Sequence, residues 1–202
     1  MVACGMSADL SLQASAQPAM HMWPLAYEQQ LQARSIAQID LVVIHCTELP
    51  DLATAREYGE RALYLNGTGN SGHYYIDRDG STHQFVAPTR IANHTRGYNE
   101  RSIGIELINT GRYPDWLDSR HQAMTEPYTE AQIAALIALL AALRSELPNL
   151  HALAGHEDLD TTQVPASDDA GIWVRRKRDP GLLFPWPRVL HVSGLAQLLS
   201  DT

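Results

Sequence analysis

The chain has 202 residues, a formal net charge of −8 at pH 7, 45% hydrophobic residues and 19% charged residues. This composition excludes a disordered chain, and the length favours one domain. The acidic balance argues against binding to nucleic acid, because phosphate contacts need a basic face. The longest apolar run, Ile133 to Leu143, is too short for a membrane span, which needs about 20 residues.

The N-terminal part of the chain differs from the rest. Residues 7–18 are rich in Ser, Ala and Gln without any period, so we expect residues 1–38 to form a leader or linker. Met1 to Gly5 resembles the end of a bacterial lipobox, in which small residues precede a lipid-modified cysteine. This reading predicts membrane anchoring through Cys4 and a location in the cell envelope, as a periplasmic or outer-membrane lipoprotein. The alternatives are a chance cysteine and a cytoplasmic protein.

From residue 39 onwards the pattern is that of a globular domain, which we expect to span residues 39–202. Strand-like runs alternate with helix-like spacing, and Thr129 with Gln132 forms a capping box that opens the longest helix. The predicted strands are 41–44, 73–77, 81–86, 102–109 and 150–154, and the predicted helices are 51–65, 129–147 and 188–199. The alternation predicts a single α/β domain with a central mixed β-sheet flanked by helices.

Two histidines and one aspartate stand where catalytic chemistry is expected. His45 and His156 each follow a buried strand, and Asp179 precedes Pro180 and Gly181 in a predicted turn. Two imidazoles and a carboxylate, with a fourth position open to water, form a known catalytic zinc arrangement. A single histidine after a strand is more often a hydrogen-bonded loop residue than a ligand, and aspartate before Pro-Gly usually forms a turn, so spacing alone leaves the zinc hypothesis weak.

The amino-acid sequences of the motifs are more specific than the spacing of these three residues. In collinear order, the segments are Leu41–Thr47, Ser71–Gly80, Asn93–Thr95, Asn99–Leu107, Ala154–Asp158, Arg176–Gly181 and Phe184–Trp186. Together they resemble the zinc-dependent N-acetylmuramoyl-L-alanine amidases of the AmpD-like (amidase type 2) family, whose fold is related to the peptidoglycan recognition proteins. The resemblance covers residues 39–186.

The resemblance implies a role for each residue of the candidate site. His45, His156 and Asp179 would bind one zinc ion per chain. Glu106 would be the general base that takes a proton from the attacking water, and Lys177 would stabilise the oxyanion. Three further residues, Asn93, His94 and His73, are assigned to substrate binding.

The implied reaction is hydrolysis of the amide between N-acetylmuramic acid and L-alanine in peptidoglycan or muropeptides, by a monomer. The alternatives are a non-catalytic peptidoglycan-binding module on the same fold, and a cytosolic amidase that recycles anhydromuropeptides. Residues 161–174 lengthen the segment between His156 and Lys177 beyond the compact members of the family. We expect this insertion to form a flap over the groove.

Overall fold

The computed structural model describes residues 20–199 as nine strands and four α-helices, joined by loops and short 3-10 turns. The strands are β1 (Met20–Met22), β2 (Leu41–Cys46), β3 (Tyr74–Ile76), β4 (Thr82–Gln84), β5 (Ser102–Leu107), β6 (Ala152–Gly155), β7 (Gln163–Pro165), β8 (Trp173–Arg175) and β9 (Ala196–Gln197). The helices are α1 (Leu52–Glu60), α2 (Glu130–Glu146), α3 (His156–Leu159) and α4 (Trp186–Ser193). Within this part of the chain, no helix has the length and apolar character of a membrane span.

Seven strands form one mixed sheet in the order β1-β4-β3-β5-β2-β6-β9, and β7 pairs with β8 in a separate hairpin. Only β3 and β4 are antiparallel within the large sheet, as the turn at Gly80 (φ 86°) requires. The central strands β5, β2 and β6 are parallel. The predicted fold class, a mixed sheet flanked by helices in one domain, is confirmed.

The core lies on both faces of the sheet because consecutive strand residues point in opposite directions. On one face, Val42 and Ile44 pack with the apolar side of α2 and with α4. On the other face, Leu41 and Val43 belong to a smaller cluster with residues of β6. The capping box predicted at Thr129 is present, so α2 begins where the sequence indicated.

The predicted boundary between leader and domain, at residues 38 and 39, lies too late in the chain. Strand β1 pairs in parallel with β4, and Leu25 and Leu31 are almost fully buried in the core. Arg34 donates hydrogen bonds to the backbone oxygens of Pro88 and Ser102. Residues 20–38 therefore belong to the folded domain. The proposed lipid attachment point, Cys4, lies outside the described residues.

The candidate active site

The register of the three central strands assembles the candidate site. His45 in β2 pairs with Glu106 in β5, and Ile44 pairs with Gly155 at the end of β6. His156 follows Gly155 directly and begins α3. The parallel alignment therefore carries His45, Glu106 and His156 to the same edge of the sheet, at the carboxyl ends of the strands.

Asp179 reaches this edge from the segment after β8. Its backbone oxygen accepts a hydrogen bond of 2.9 Å from the amide of Glu157, which holds the segment against α3. A Cβ on Gly155 would lie 2.9 Å from the ring of Pro180, so only glycine permits this approach. The carboxylate Oδ2 lies 2.9 Å from Nδ1 of His45 and 3.1 Å from Nδ1 of His156.

The three side chains fit a metal ion. They are all buried, and one ligand atom from each lies within 4.8 Å of the others. The second carboxylate oxygen of Asp179, Oδ1, is buried without a hydrogen-bond partner, so the site holds an anionic donor that the protein leaves unsatisfied. Such an orphaned oxygen is costly unless a ligand compensates it.

The electrostatics of these groups also suit a metal. Burial, reinforced by the neighbouring His156, lowers the pKa of His45 to about 4, so its imidazole is neutral at pH 7. Burial by itself would raise the pKa of Asp179, but the charge and hydrogen bond of His156 and the hydrogen bond of His45 hold it well below its usual range. The site thus offers a neutral imidazole at His45 and a carboxylate at Asp179, which are forms that bind zinc.

Glu106 lies beside this triad. Its Oε1 is 4.0 Å from Nδ1 of His45, and 14% of its side chain is exposed. Burial, together with the negative charge of Asp179, raises the pKa of Glu106 to about 8. A Cβ on Gly72 would lie 2.7 Å from Cγ of Glu106, so the glycine leaves room for this side chain. A carboxyl group with a raised pKa in a cleft is a candidate general base.

The triad and Glu106 open into a cavity of about 680 Å³. Lys177, Asn93 and His94 line it. His94 Nδ1 lies 3.0 Å from Nε2 of His45. The amide of Asn93 donates to the backbone oxygen of Gly69.

His73 does not reach the cavity. It is fully buried, accepts a hydrogen bond from the Gly104 amide at Nδ1, and lies against Arg34. Arg34 belongs to the segment that the sequence prediction places outside the domain, so the sequence does not predict this contact with His73. Its ring lies 5.6 Å behind that of His94, so the predicted substrate contact is wrong.

The insertion at residues 161–174 also differs from the prediction of a flap over the groove. It forms the hairpin of β7 and β8, and none of its residues lines the cavity. Instead, Asp168 accepts two hydrogen bonds from Ser119, at 2.7 and 2.8 Å, and the hairpin packs beside the loop at Leu117. The hairpin supports one wall of the cavity from outside.

Sequence reasoning missed a second pair of charged residues at the cavity. Glu48 and Arg112 are both buried, and both line it. They lie 64 residues apart and belong to none of the motifs. Their pairing is therefore visible only in the three-dimensional structure.

Comparison with protein families supplies the decisive observation. The model of the N-acetylmuramoyl-L-alanine amidase family (Amidase_2) matches residues 35–182. The chain belongs to this family. The match contains all of His45, Glu106, His156 and Asp179, and it begins at residue 35, before the predicted domain boundary.

Solved structures share the fold of this amidase domain. LysC, an N-acetylmuramoyl-L-alanine amidase from Clostridium intestinale, is 20% identical, with a TM-score of 0.63, and the match covers 88% of this chain and 99% of LysC. AmiD from E. coli, solved with an anhydro-N-acetylmuramic acid peptide substrate, is 25% identical with a TM-score of 0.58, over 82% of this chain and 61% of AmiD. Drosophila peptidoglycan recognition protein SA is 18% identical with a TM-score of 0.59, over 92% and 96% of the two chains.

A search of curated protein sequences found no match. The family match, together with the amidase structures, identifies the chain as an N-acetylmuramoyl-L-alanine amidase acting on peptidoglycan amides. The resemblance read from the sequence motifs is confirmed, and a purely binding role is not favoured.

Proposed function

We propose that the enzyme uses zinc held by His45, His156 and Asp179. The observation that carries this proposal is the buried triad with its unpartnered carboxylate oxygen. When bound, zinc would supply a Lewis acid that polarises a carbonyl and makes water more acidic. Because a bound cation adds positive charge, it also lowers the pKa of nearby carboxyl groups, which favours the basic form of Glu106 near neutral pH.

Two groups of the protein carry the proton transfer and the charge stabilisation. Glu106 accepts a proton from the attacking water and returns it to the departing amine of L-alanine. Lys177 donates hydrogen bonds to the oxyanion that forms on the former carbonyl oxygen. Both side chains line the same cavity as the triad, so one substrate carbonyl can meet them together.

The substrate class follows from the family and from the cavity. We infer that the lactyl amide of a muramyl peptide lies over the triad, with Asn93 and His94 along the groove. The cavity is large enough for a sugar and the first stem residues, since ligand pockets commonly measure about 300–1,000 Å³. The substrate described for AmiD belongs to this class.

Metal analysis and product analysis of one preparation test the proposal. The purified protein should contain about one zinc per chain, and digestion of muropeptides should release free N-acetylmuramyl sugars and intact stem peptides, detected by mass spectrometry. Restoring activity to chelator-treated protein with zinc would support the assignment. Full activity in metal-free protein would overturn the zinc proposal while leaving the amidase activity in place.

We also propose an envelope location through lipid attachment at Cys4, and a monomeric state. The support is the lipobox-like sequence and the insoluble polymer that contains the substrate bond. Metabolic labelling with palmitate should mark the protein and not its Cys4→Ala variant. A soluble, unlabelled protein in the cytoplasmic fraction would instead support the recycling alternative. Analytical ultracentrifugation tests the monomer.

A further inference from the structure

The ion pair of Arg112 and Glu48 differs from the other arginine–carboxylate pairs of residues 20–199. Its two side chains are 1% and 9% exposed, whereas each of the others has at least one side chain near a third exposed or more. Nε of Arg112 donates to Oε1 of Glu48 at 2.6 Å, and Nη2 donates to Oε2 at 2.8 Å. The pair is therefore bidentate and shielded from water.

The other donors of Arg112 bind the backbone at Arg175 and Arg176 and the side chain of Gln122. Nη1 donates to the backbone oxygen of Arg175 at 3.0 Å and to the side chain of Gln122 at 3.2 Å. Nη2 donates to the backbone oxygen of Arg176 at 3.3 Å. These five contacts account for all five N–H groups of the guanidinium. Arg112 therefore has no donor left for substrate, although it lines the cavity.

Two of the segments that Arg112 joins carry the catalytic machinery. Glu48 follows His45 by three residues, and Arg176 directly precedes Lys177 and lies three residues before Asp179. One planar side chain thus connects the end of β2 with the segment that supplies the aspartate ligand and the lysine.

The backbone at Glu48 is held in a rare conformation. Its φ of 49° is the only positive value at a non-glycine residue among those described. The backbone oxygen of Glu48 accepts a hydrogen bond from the indole of Trp116, and Gly111 packs closely against its side chain. Such a conformation costs free energy and persists where its surroundings fix it, commonly beside active sites.

A buried ion pair is weak evidence for stabilisation, because an apolar pair of similar size is often equally stable. Conformational specificity is a better account of a guanidinium whose donors all bind oxygens of separate segments, at Glu48, at Gln122 and at Arg175 and Arg176. We propose that Arg112, paired with Glu48, is a positioning residue that sets the distance of Lys177 and Asp179 from His45. This inference rests on the proposed zinc mechanism.

The Arg112→Lys variant tests it, because lysine keeps the charge but cannot bind both segments through a planar fork. We expect zinc affinity, measured by competition with a chromogenic chelator, to fall about 10- to 100-fold, as for other residues that orient metal ligands. At saturating zinc, kcat should fall while KM stays near the parental value. The matched control is Arg101→Lys, in the bidentate pair with Asp40, which should change neither quantity.

A second variant keeps the test informative if Arg112→Lys folds poorly. Replacing both partners, Arg112→Met with Glu48→Met, leaves no buried charge unpaired and still removes the bonds to Arg175 and Arg176. The proposal predicts weakened zinc binding in this double variant even where its melting temperature matches the parent. Parental zinc affinity and kcat in a folded variant of either kind would overturn the proposal. Because zinc affinity is read without substrate, an inactive parent would count against the proposed function alone.

Discussion

The two ends of the parallel strands β5, β2 and β6 contain similar kinds of polar residue in opposite settings. At the carboxyl ends, His45, His156 and Asp179 are buried, and one carboxylate oxygen has no partner. At the amino ends, Asp40 and Arg101 form a bidentate pair with side chains 28% and 42% exposed. The charged groups at the amino ends form hydrogen bonds with each other at the solvent-exposed surface. At the carboxyl ends, by contrast, a buried carboxylate oxygen has no hydrogen-bond partner and is available to a ligand.

The difference teaches where function lies in this sheet. Hydrogen-bond satisfaction identifies the active edge better than polarity does, since both edges are polar. The same sheet register that pairs Leu41 with Ser102 and Ala152 also pairs His45 with Glu106. Substitutions at matched positions along one strand therefore separate the contributions of the two ends.

The largest expected effect is at the metal ligands. His156→Ala should abolish both zinc retention and measurable turnover, because two remaining ligands hold zinc poorly. Its control is His151→Ala, at an exposed residue directly before β6, which should keep zinc content and activity near the parental values. Zinc content is measured by plasma mass spectrometry and turnover on soluble muropeptides. Parental zinc in His156→Ala would remove this residue from the metal site.

The second-largest effect on turnover is expected for Glu106→Gln. The substitution keeps the shape of the side chain but cannot accept a proton, so turnover should fall by roughly 10²–10⁴. Zinc content should remain near the parental value, because Glu106 is not one of the three proposed metal ligands. A variant with parental turnover would exclude Glu106 as the general base.

Lys177→Ala should also keep its zinc, with a loss of turnover of roughly 10²–10³, as for single oxyanion donors. The neighbouring Arg178→Ala is the control, because Arg178 does not line the cavity. Equal losses in the two variants would mean that the basic segment contributes general charge rather than one positioned donor.

Acid should destabilise the metal-free protein through its buried imidazoles. Burial and the nearby charge of Arg34 lower the pKa of His73 well below its usual range, and burial with the neighbouring His45 does the same for His94. Between the unfolded pKa of about 6.5 and the lower folded values, the unfolded chain binds protons that the folded chain excludes. These imidazoles should therefore lower the free energy of unfolding from pH 7 to pH 5, by about 2 kcal/mol for each one that stays neutral in the fold. The raised pKa of Glu106 acts in the opposite direction over this range and offsets part of the loss.

Urea titrations of the metal-free protein at the two pH values measure this difference. His73→Gln at the buried position should reduce it, whereas His151→Gln, on the exposed edge, should leave it unchanged. The same pH difference in His73→Gln as in the parent would contradict the assignment of a neutral buried imidazole at His73.

The smallest effect is expected at the amino ends. Arg101→Lys weakens an exposed ion pair, so the free energy of unfolding should change by about 1 kcal/mol or less. Turnover should not change, since Arg101 does not line the cavity. A large loss of activity in this variant would remove the functional distinction between the two ends of the sheet.

The parts of the molecule that the sequence predicts are those with local signals. The strand before His45, the turn at Gly80 and the capping box at Thr129 each show a pattern within a few residues, and all three are present. The motifs also bring together His45, His156 and Asp179 as expected.

The parts that the sequence does not predict depend on distant partners. Strand β1 has only three residues, and it forms because it pairs with β4, which lies some 60 residues later in the chain. The burial of His73 depends on Arg34, and the burial of Glu48 depends on Arg112. Hydrophobic period and turn residues carry no information on such pairs.

The assembly of the triad has a consequence for folding kinetics. His45 and Asp179 meet across a separation of 134 residues, whereas α2 forms from contacts within one segment. Loop-closure entropy makes such long-range contacts the slowest to form, so we expect helix formation to precede completion of the active site. Metal uptake during refolding would then report the last step of folding. Since an ion that binds only the native state shifts the equilibrium toward it, metal supply would also set how much of the chain is folded.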